Sequence, residues 1–105
     1  MKSISPATLK TILDAGEKPR LLDVREAWEY DLCSIEDSTN ISMSNIEQIL
    51  NEFKPDDEII VICHHGMRSF QVANYLEGND YSNITNLEGG VDAWARTVDT
   101  DMAQY

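Results

Sequence analysis

Ile59-Ile60-Val61-Ile62, followed at once by Cys63-His64-His65-Gly66-Met67-Arg68-Ser69, is the stretch whose reading decides the fold of this chain. Four consecutive β-branched residues match a parallel strand covered on both faces, where no residue needs to meet water. A polar, glycine-containing segment ends the run. Val72, Ala73 and Leu76 then mark one face of a helix that begins near Ser69 and closes at Gly78 as its C-terminal cap. The same alternation continues outward in both directions. Upstream, Ser5 with Pro6 caps a helix carrying Leu9, Ile12 and Leu13 as far as Gly16. Leu21 to Val24 reads as a buried strand, Glu26 to Leu32 as a brief helix, and Ile41-Ser42-Met43 as a short strand. Ser44 to Glu47 matches a capping box ahead of Ile46, Ile49, Leu50 and Phe53. Downstream lie a strand at Ile84 to Leu87 and a helix at Val91 to Thr97. The pattern predicts an α/β domain with a mostly parallel sheet and helices on both faces.

The chain has 105 residues with 8 basic and 19 acidic side chains, a formal charge of −11. That length is one domain, residues 1–105, with no repeat or linker to divide it. The acidic balance argues against nucleic acid and anionic membrane as partners, because both need clustered Lys and Arg to displace counterions. No signal-like or membrane-spanning apolar stretch is present, so a cytoplasmic location is expected. Cys33 and Cys63 lie too far apart for a CxxC pair, and both are expected to be free thiols in a reducing compartment.

Cys63 stands where an open α/β sheet binds ligands, at the carboxyl end of a strand and the start of a helix. A thiol there feels the positive end of the helix and the Arg68 cation, and both favour the nucleophilic thiolate. Gly66 permits the positive φ of a tight loop whose amides converge on an anion or a charged sulfur. Residues 59–76 contain no Asp or Glu, although the average along the chain would place about three there. Arg68 is the one formal charge in that window. Against this stands the plainer reading of a buried thiol ending a core strand. Cys33, with neither glycine nor arginine close behind it, reads as packed. Trp28 and Trp94 are expected in the core.

Taken together, four motifs resemble the single-domain rhodanese, or thiosulfate sulfurtransferase, family. They are Ile4-Ser5-Pro6 with Leu9; Leu22-Asp23-Val24-Arg25-Glu26 with Glu29-Tyr30; the Cys63 to Arg68 loop; and Leu87-Glu88-Gly89-Gly90 with Trp94. One departure is visible, since Cys33-Ser34-Ile35-Glu36-Asp37-Ser38 stands where the family continues its first signature with Gly-His-Ile-Pro-Gly-Ala. The resemblance implies a rhodanese-like single domain with about five short strands. It implies that Cys63 takes a sulfur from a donor such as thiosulfate, holds it as a persulfide, and yields it to a thiol or cyanide. His64, His65, Gly66, Met67, Arg68 and Ser69 would contact the substrate, with Arg68 on the anionic end of the donor. The two histidines add positive charge at low pH or only shape the rim. Asp23 and Arg25 are expected to order neighbouring loops, beside Gly89, Gly90 and Trp94 as structural motif residues. No metal or organic cofactor is implied. Partners would be a small sulfur-containing anion or persulfide donor, a thiol acceptor, and a sulfur-relay protein.

Three other readings compete. A phosphatase loop carries five residues between Cys and Arg, and here there are four. Zinc on Cys33, Cys63, His64 and His65 has the right donors at poor spacing. A regulatory module that binds a partner without turnover uses the same fold.

Overall fold

The computed structural model describes residues 1–105. Five strands, β1 (Lys2–Ile4), β2 (Arg20–Asp23), β3 (Thr39–Asn40), β4 (Ile59–Ile62) and β5 (Ile84–Leu87), alternate with five helices. These are α1 (Pro6–Asp14), α2 (Ala27–Leu32), α3 (Ile46–Glu52), α4 (Met67–Gly78) and α5 (Gly90–Thr97). The sheet order is β1-β5-β4-β2-β3, and every pairing is parallel. β4 is the central strand and all its residues are buried, which is why its sequence is an unbroken apolar run.

Alternation along the strands sorts the core into two layers. Leu22, Val24, Ile59, Val61 and Ile84 pack against Ile49 and Phe53 of the α3 segment and against Val72, Ala73 and Leu76 of α4. Leu21, Ile60, Ile62 and Leu87 pack against Leu9 of α1 and against Val91 and Trp94 of α5. Cys63 follows β4 directly and belongs to the first layer, on the α4 side. Strand parity has therefore chosen which helix the thiol meets.

Several local expectations are corrected. β1 was not anticipated, because Lys2-Ser3-Ile4 carries no periodic signal and owes its strand to pairing with β5. The strand expected at Ile41 to Met43 lies earlier, at Thr39–Asn40, and Met43–Asn45 forms a 3-10 turn. Ile41 is buried beyond the ladder's end, and burial alone does not separate a strand from the loop that follows it. Ser44 falls within that turn, so α3 starts at Ile46 without the expected capping box. A reciprocal closure of this kind occurs on α2, where the Glu26 N–H donates to the Glu29 carboxylate at 2.9 Å. α4 starts at Met67, ahead of Ser69, and Gly78 is its last helical residue; the left-handed turn comes at Asp80, φ 69°. Trp94 is buried as expected, but Trp28 is 61% exposed. The short α2 turns Glu29 inward to meet cations, which leaves Trp28 facing solvent.

No helix is long and apolar enough to cross a membrane. A cleft of about 850 Å³ lies at the amino ends of the strands among Gly16, Pro19, Arg20 and Thr39. None of Cys63 to Ser69 lines it.

Candidate active site

Residues 63–66 link the carboxyl end of β4 to α4. Gly66 turns this loop at φ 103°, a conformation that disfavours any side chain, and an added Cβ would sit 3.3 Å from the Gly89 nitrogen. The turn aims the Gly66 N–H at Cys63 Sγ, 3.0 Å away. Ser69 lies in the first turn of α4, fully buried, with Oγ 3.3 Å from the same sulfur. Its hydroxyl also reaches the Gly66 carbonyl at 3.1 Å and Asn86 Oδ1. Asn86 Nδ2 donates to the Gly66 carbonyl at 3.4 Å, so β5 helps hold the loop.

Two sequence expectations change here. One amide and one hydroxyl meet the sulfur, where several converging amides were expected. Cys63 is 1% exposed, so it does not sit at an open mouth. Its sulfur nonetheless faces polar groups, and this separates it from an ordinary core thiol. Cys33 is buried with Sγ 3.9 Å from Arg25 Nη1.

The loop is seated from beneath by α5. Val91 N–H donates to the Cys63 carbonyl at 2.8 Å and Asp92 N–H to the His64 carbonyl at 3.0 Å. These first-turn amides have no partner within their own helix, so the loop carbonyls satisfy them. Gly89 and Gly90 adopt φ 70° and 59°, and a Cβ on Gly90 would overlap the carbonyl oxygens of Cys63 and His64.

Arg68 was expected to hold an anionic donor, but it forms a two-pronged pair with Glu29 at 2.7 and 2.8 Å. Joining α4 to the short α2 outranks keeping a free cation, because Glu29 is buried and an unpaired buried carboxylate is costly. Arg25, also buried, binds Asp23 at 2.7 Å, the Cys33 carbonyl at 2.7 Å and the Glu29 carbonyl at 3.2 Å. Burial alone would lower the Arg25 pKa; the bond to Asp23 and further contacts more than reverse this, so it stays charged. The Tyr105 hydroxyl completes the cluster, donating to Glu29 Oε1 and accepting from Arg25 Nη1, both at 2.9 Å.

The bond from Arg68 holds the Glu29 carboxyl down at about 2, below its ordinary 4.5. A depressed carboxylate stabilises the fold above the ordinary value, and that contribution is lost as pH falls through the folded one. Between pH 5 and 2.5 we expect a loss of about 2 kcal/mol, discounted because Arg68 is a third exposed. Denaturant unfolding at the two pH values measures it. Glu29→Gln should flatten this part of the pH dependence, and an unchanged slope in that variant would assign the loss to other carboxyls.

His64 is sandwiched between His65 and Tyr105, with ring centroids 4.0 Å away on each side. Its Nε2 is buried without a partner, and burial holds its pKa below 6.5, so it supplies no cation at neutral pH. His65 and Met67 are exposed at the rim. Donor atoms of His64, His65 and Asp92 lie within 4.8 Å of one another. Lone pairs lie in the imidazole planes, however, and two rings only 26° from parallel do not aim them at one point. Asp92 Oδ2 also accepts from Arg96 Nε at 3.0 Å. The rival zinc set of Cys33, Cys63, His64 and His65, poorly spaced in sequence, is not assembled either, since Cys33 belongs to the α5 layer and Cys63 to the α4 layer.

The structure thus brings Cys63, Gly66 and Ser69 together, leaves His65 and Met67 at the rim, stacks His64 between His65 and Tyr105, and pairs Arg68 with Glu29. Sequence reasoning missed Asn86, whose signal was an amide side chain within a predicted strand, and the inward role of Glu29, which stood within a quoted motif. Tyr105 carried no signal.

A family profile described as "Rhodanese-like domain" matches residues 5–97. The chain belongs to the rhodanese-like family. A protein from Bacillus subtilis, "Putative sulfurtransferase YtwF", is 37% identical over 94 residues, covering 90% of each chain. "Probable adenylyltransferase/sulfurtransferase MoeZ" of Mycobacterium tuberculosis is 31% identical over 98% of this chain, which spans only 27% of MoeZ. A rhodanese-like domain protein from Staphylococcus aureus shares the fold with a TM-score of 0.83 and 35% identity, over 90% of this chain and 91% of that one. Among rhodanese-like signatures in this chain, the Gly89-Gly90 pair forms the seat of the cysteine loop, and the Glu29 of the first signature is the partner of the loop arginine.

Proposed function

We propose that this chain is a sulfurtransferase in which Cys63 carries the transferred sulfur. Cys63 as thiolate attacks the outer sulfur of a donor such as thiosulfate; the donor S–S bond breaks, sulfite leaves with the electron pair, and Cys63 becomes a persulfide. An acceptor thiolate or cyanide then attacks the terminal sulfur, and the Cys63 thiolate is restored. The observation that carries this reading is the Gly66 N–H aimed at Sγ from a loop that α5 and β5 both clamp. A fixed amide dipole stabilises charge on sulfur without reorganising when the charge appears.

Ser69 answers the change in charge. A hydroxyl has one proton, so beside a thiol it accepts from Sγ and donates to Asn86 or Gly66, and beside a thiolate it turns the proton onto sulfur. Ser69→Ala should slow alkylation of Cys63 at pH 7 by about tenfold or more, the worth of one charge-assisted hydrogen bond. Stopped-time mass mapping measures this, and an unchanged rate would remove Ser69 from the mechanism.

With Arg68 paired and a net charge of −11, a small dianion is repelled at long range and finds no free cation in the loop. This favours a neutral or protein-bound persulfide as donor, and a sulfur-relay protein as partner. The deciding experiment incubates purified protein with thiosulfate and with low-molecular-weight persulfides, then records intact mass. A gain of one sulfur atom is expected. The burial of Cys63 favours one other reading, a non-catalytic binding module, and no mass gain from any donor would establish it.

A further inference from the structure

We propose that Tyr105 is a gate over Cys63 and sets which reagents reach it. The residue lies far along the chain from the loop yet closes on it. Its ring stacks on His64, the neighbour of the nucleophile, at 4.0 Å and 7°. Its hydroxyl is seated between Arg25 and Glu29, the residue that anchors Arg68 of the same loop. Burial raises that phenol to about 12, so it stays protonated and keeps donating to Glu29 at any physiological pH. Trp28 meets the ring edge-on at 6.0 Å, and a row of four rings, Trp28, Tyr105, His64 and His65, runs across the site. Cys63, which precedes His64 in the loop, is 1% exposed.

The attachment is light. Residues 103–105 make no backbone–backbone hydrogen bond, and the last such bond in the chain runs from Met102 N–H to the Asp99 carbonyl. Tyr105 itself is 37% exposed. A segment tied down by no backbone–backbone hydrogen bond opens locally without unfolding the sheet. Opening would uncover the loop while Gly66, Ser69 and the α5 seat stay in place, because none of them contacts Tyr105 in the hydrogen-bond pattern. The consequence is selection by size: small reagents slip past the ring, and bulky ones wait for it to leave or for a partner to displace it. The gate rests on Cys63 being the reacting residue for its meaning, although access to the thiol is measurable whether or not sulfur moves.

The test compares wild type, Tyr105→Ala and Tyr105→Phe. Modification of Cys63 is followed by peptide mass mapping with iodoacetamide, a small probe, and with an anionic aromatic disulfide, a bulky one. Tyr105→Ala should speed the bulky probe by about tenfold or more and iodoacetamide by about threefold, as expected when local opening controls access. Tyr105→Phe keeps the stack and loses both hydroxyl bonds, so its rates should fall between. Equal rates in the three proteins overturn the gate, as does a matching rise at Cys33, which would mean general loosening. Faster modification in a protein that never takes up sulfur would keep the gate and refute the transferase reading. Sulfur uptake with equal rates would do the reverse.

Discussion

Cys63→Ser is expected to abolish sulfur loading while the chain remains folded. Serine is slightly smaller than cysteine, and its hydroxyl can accept the Gly66 N–H and donate to Ser69 as the thiol does. The site is polar around the sulfur, so the buried hydroxyl finds partners and the stability change should stay within about 1–2 kcal/mol. What disappears is the nucleophile. A hydroxyl does not ionise near neutral pH and has no base beside it here. The expected record is one added sulfur on wild type, none on the variant, and thermal midpoints within about 8 °C of each other. A variant that still gains sulfur would transfer the role to Cys33, the only other thiol.

Gly90→Ala should be the most damaging methyl group in the protein. The residue sits at φ 59°, where a side chain costs about 1–2 kcal/mol. The new carbon would also overlap the carbonyl oxygens of Cys63 and His64. Those atoms are backbone and cannot swing aside. Relief requires the loop to lift from α5, which breaks the bonds from Val91 and Asp92 N–H at about 1 kcal/mol each. Together these give about 3–4 kcal/mol, a fall of about 15 °C in thermal midpoint. Loading of Cys63 in the surviving folded fraction should fall at least about tenfold, since a small displacement of a reacting group has costs of that size. Gly16→Ala is the control. Gly16 has φ 82° with nothing within 4 Å of a built Cβ, so it should lose only the conformational part. Equal losses at the two glycines would mean that crowding under the loop contributes nothing.

The contrast between these glycines shows how far reading along the chain goes. Both sit at positive φ, and both read in sequence as punctuation or motif, yet only one has backbone packed against it. The apolar run at Ile59 to Ile62 announced its own strand because burial on both faces writes itself into four adjacent residues. The need for glycine at position 66 was visible for the same local reason. Asn86, Glu29 and Tyr105 belong to the cysteine's surroundings through contacts that join distant segments. Tyr105 and Arg25 are 80 positions apart, and Arg68 and Glu29 are 39 apart. Arg68 shows the same limit. A lone cation in a window free of acids looked available to a ligand, but its partner came from outside the window.

What the amino-acid order determined by itself was the alternation of strand and helix, the central position of the β-branched run, and the thiol at the turn that follows it. Each follows from interactions between residues a few places apart, where periodicity and steric limits on φ act directly. Tertiary structure decided which groups face the sulfur, which charge is already neutralised, and what closes over the loop. Those outcomes depend on the packing of remote segments in three dimensions, where buried charges take whichever opposite charge the fold delivers to them.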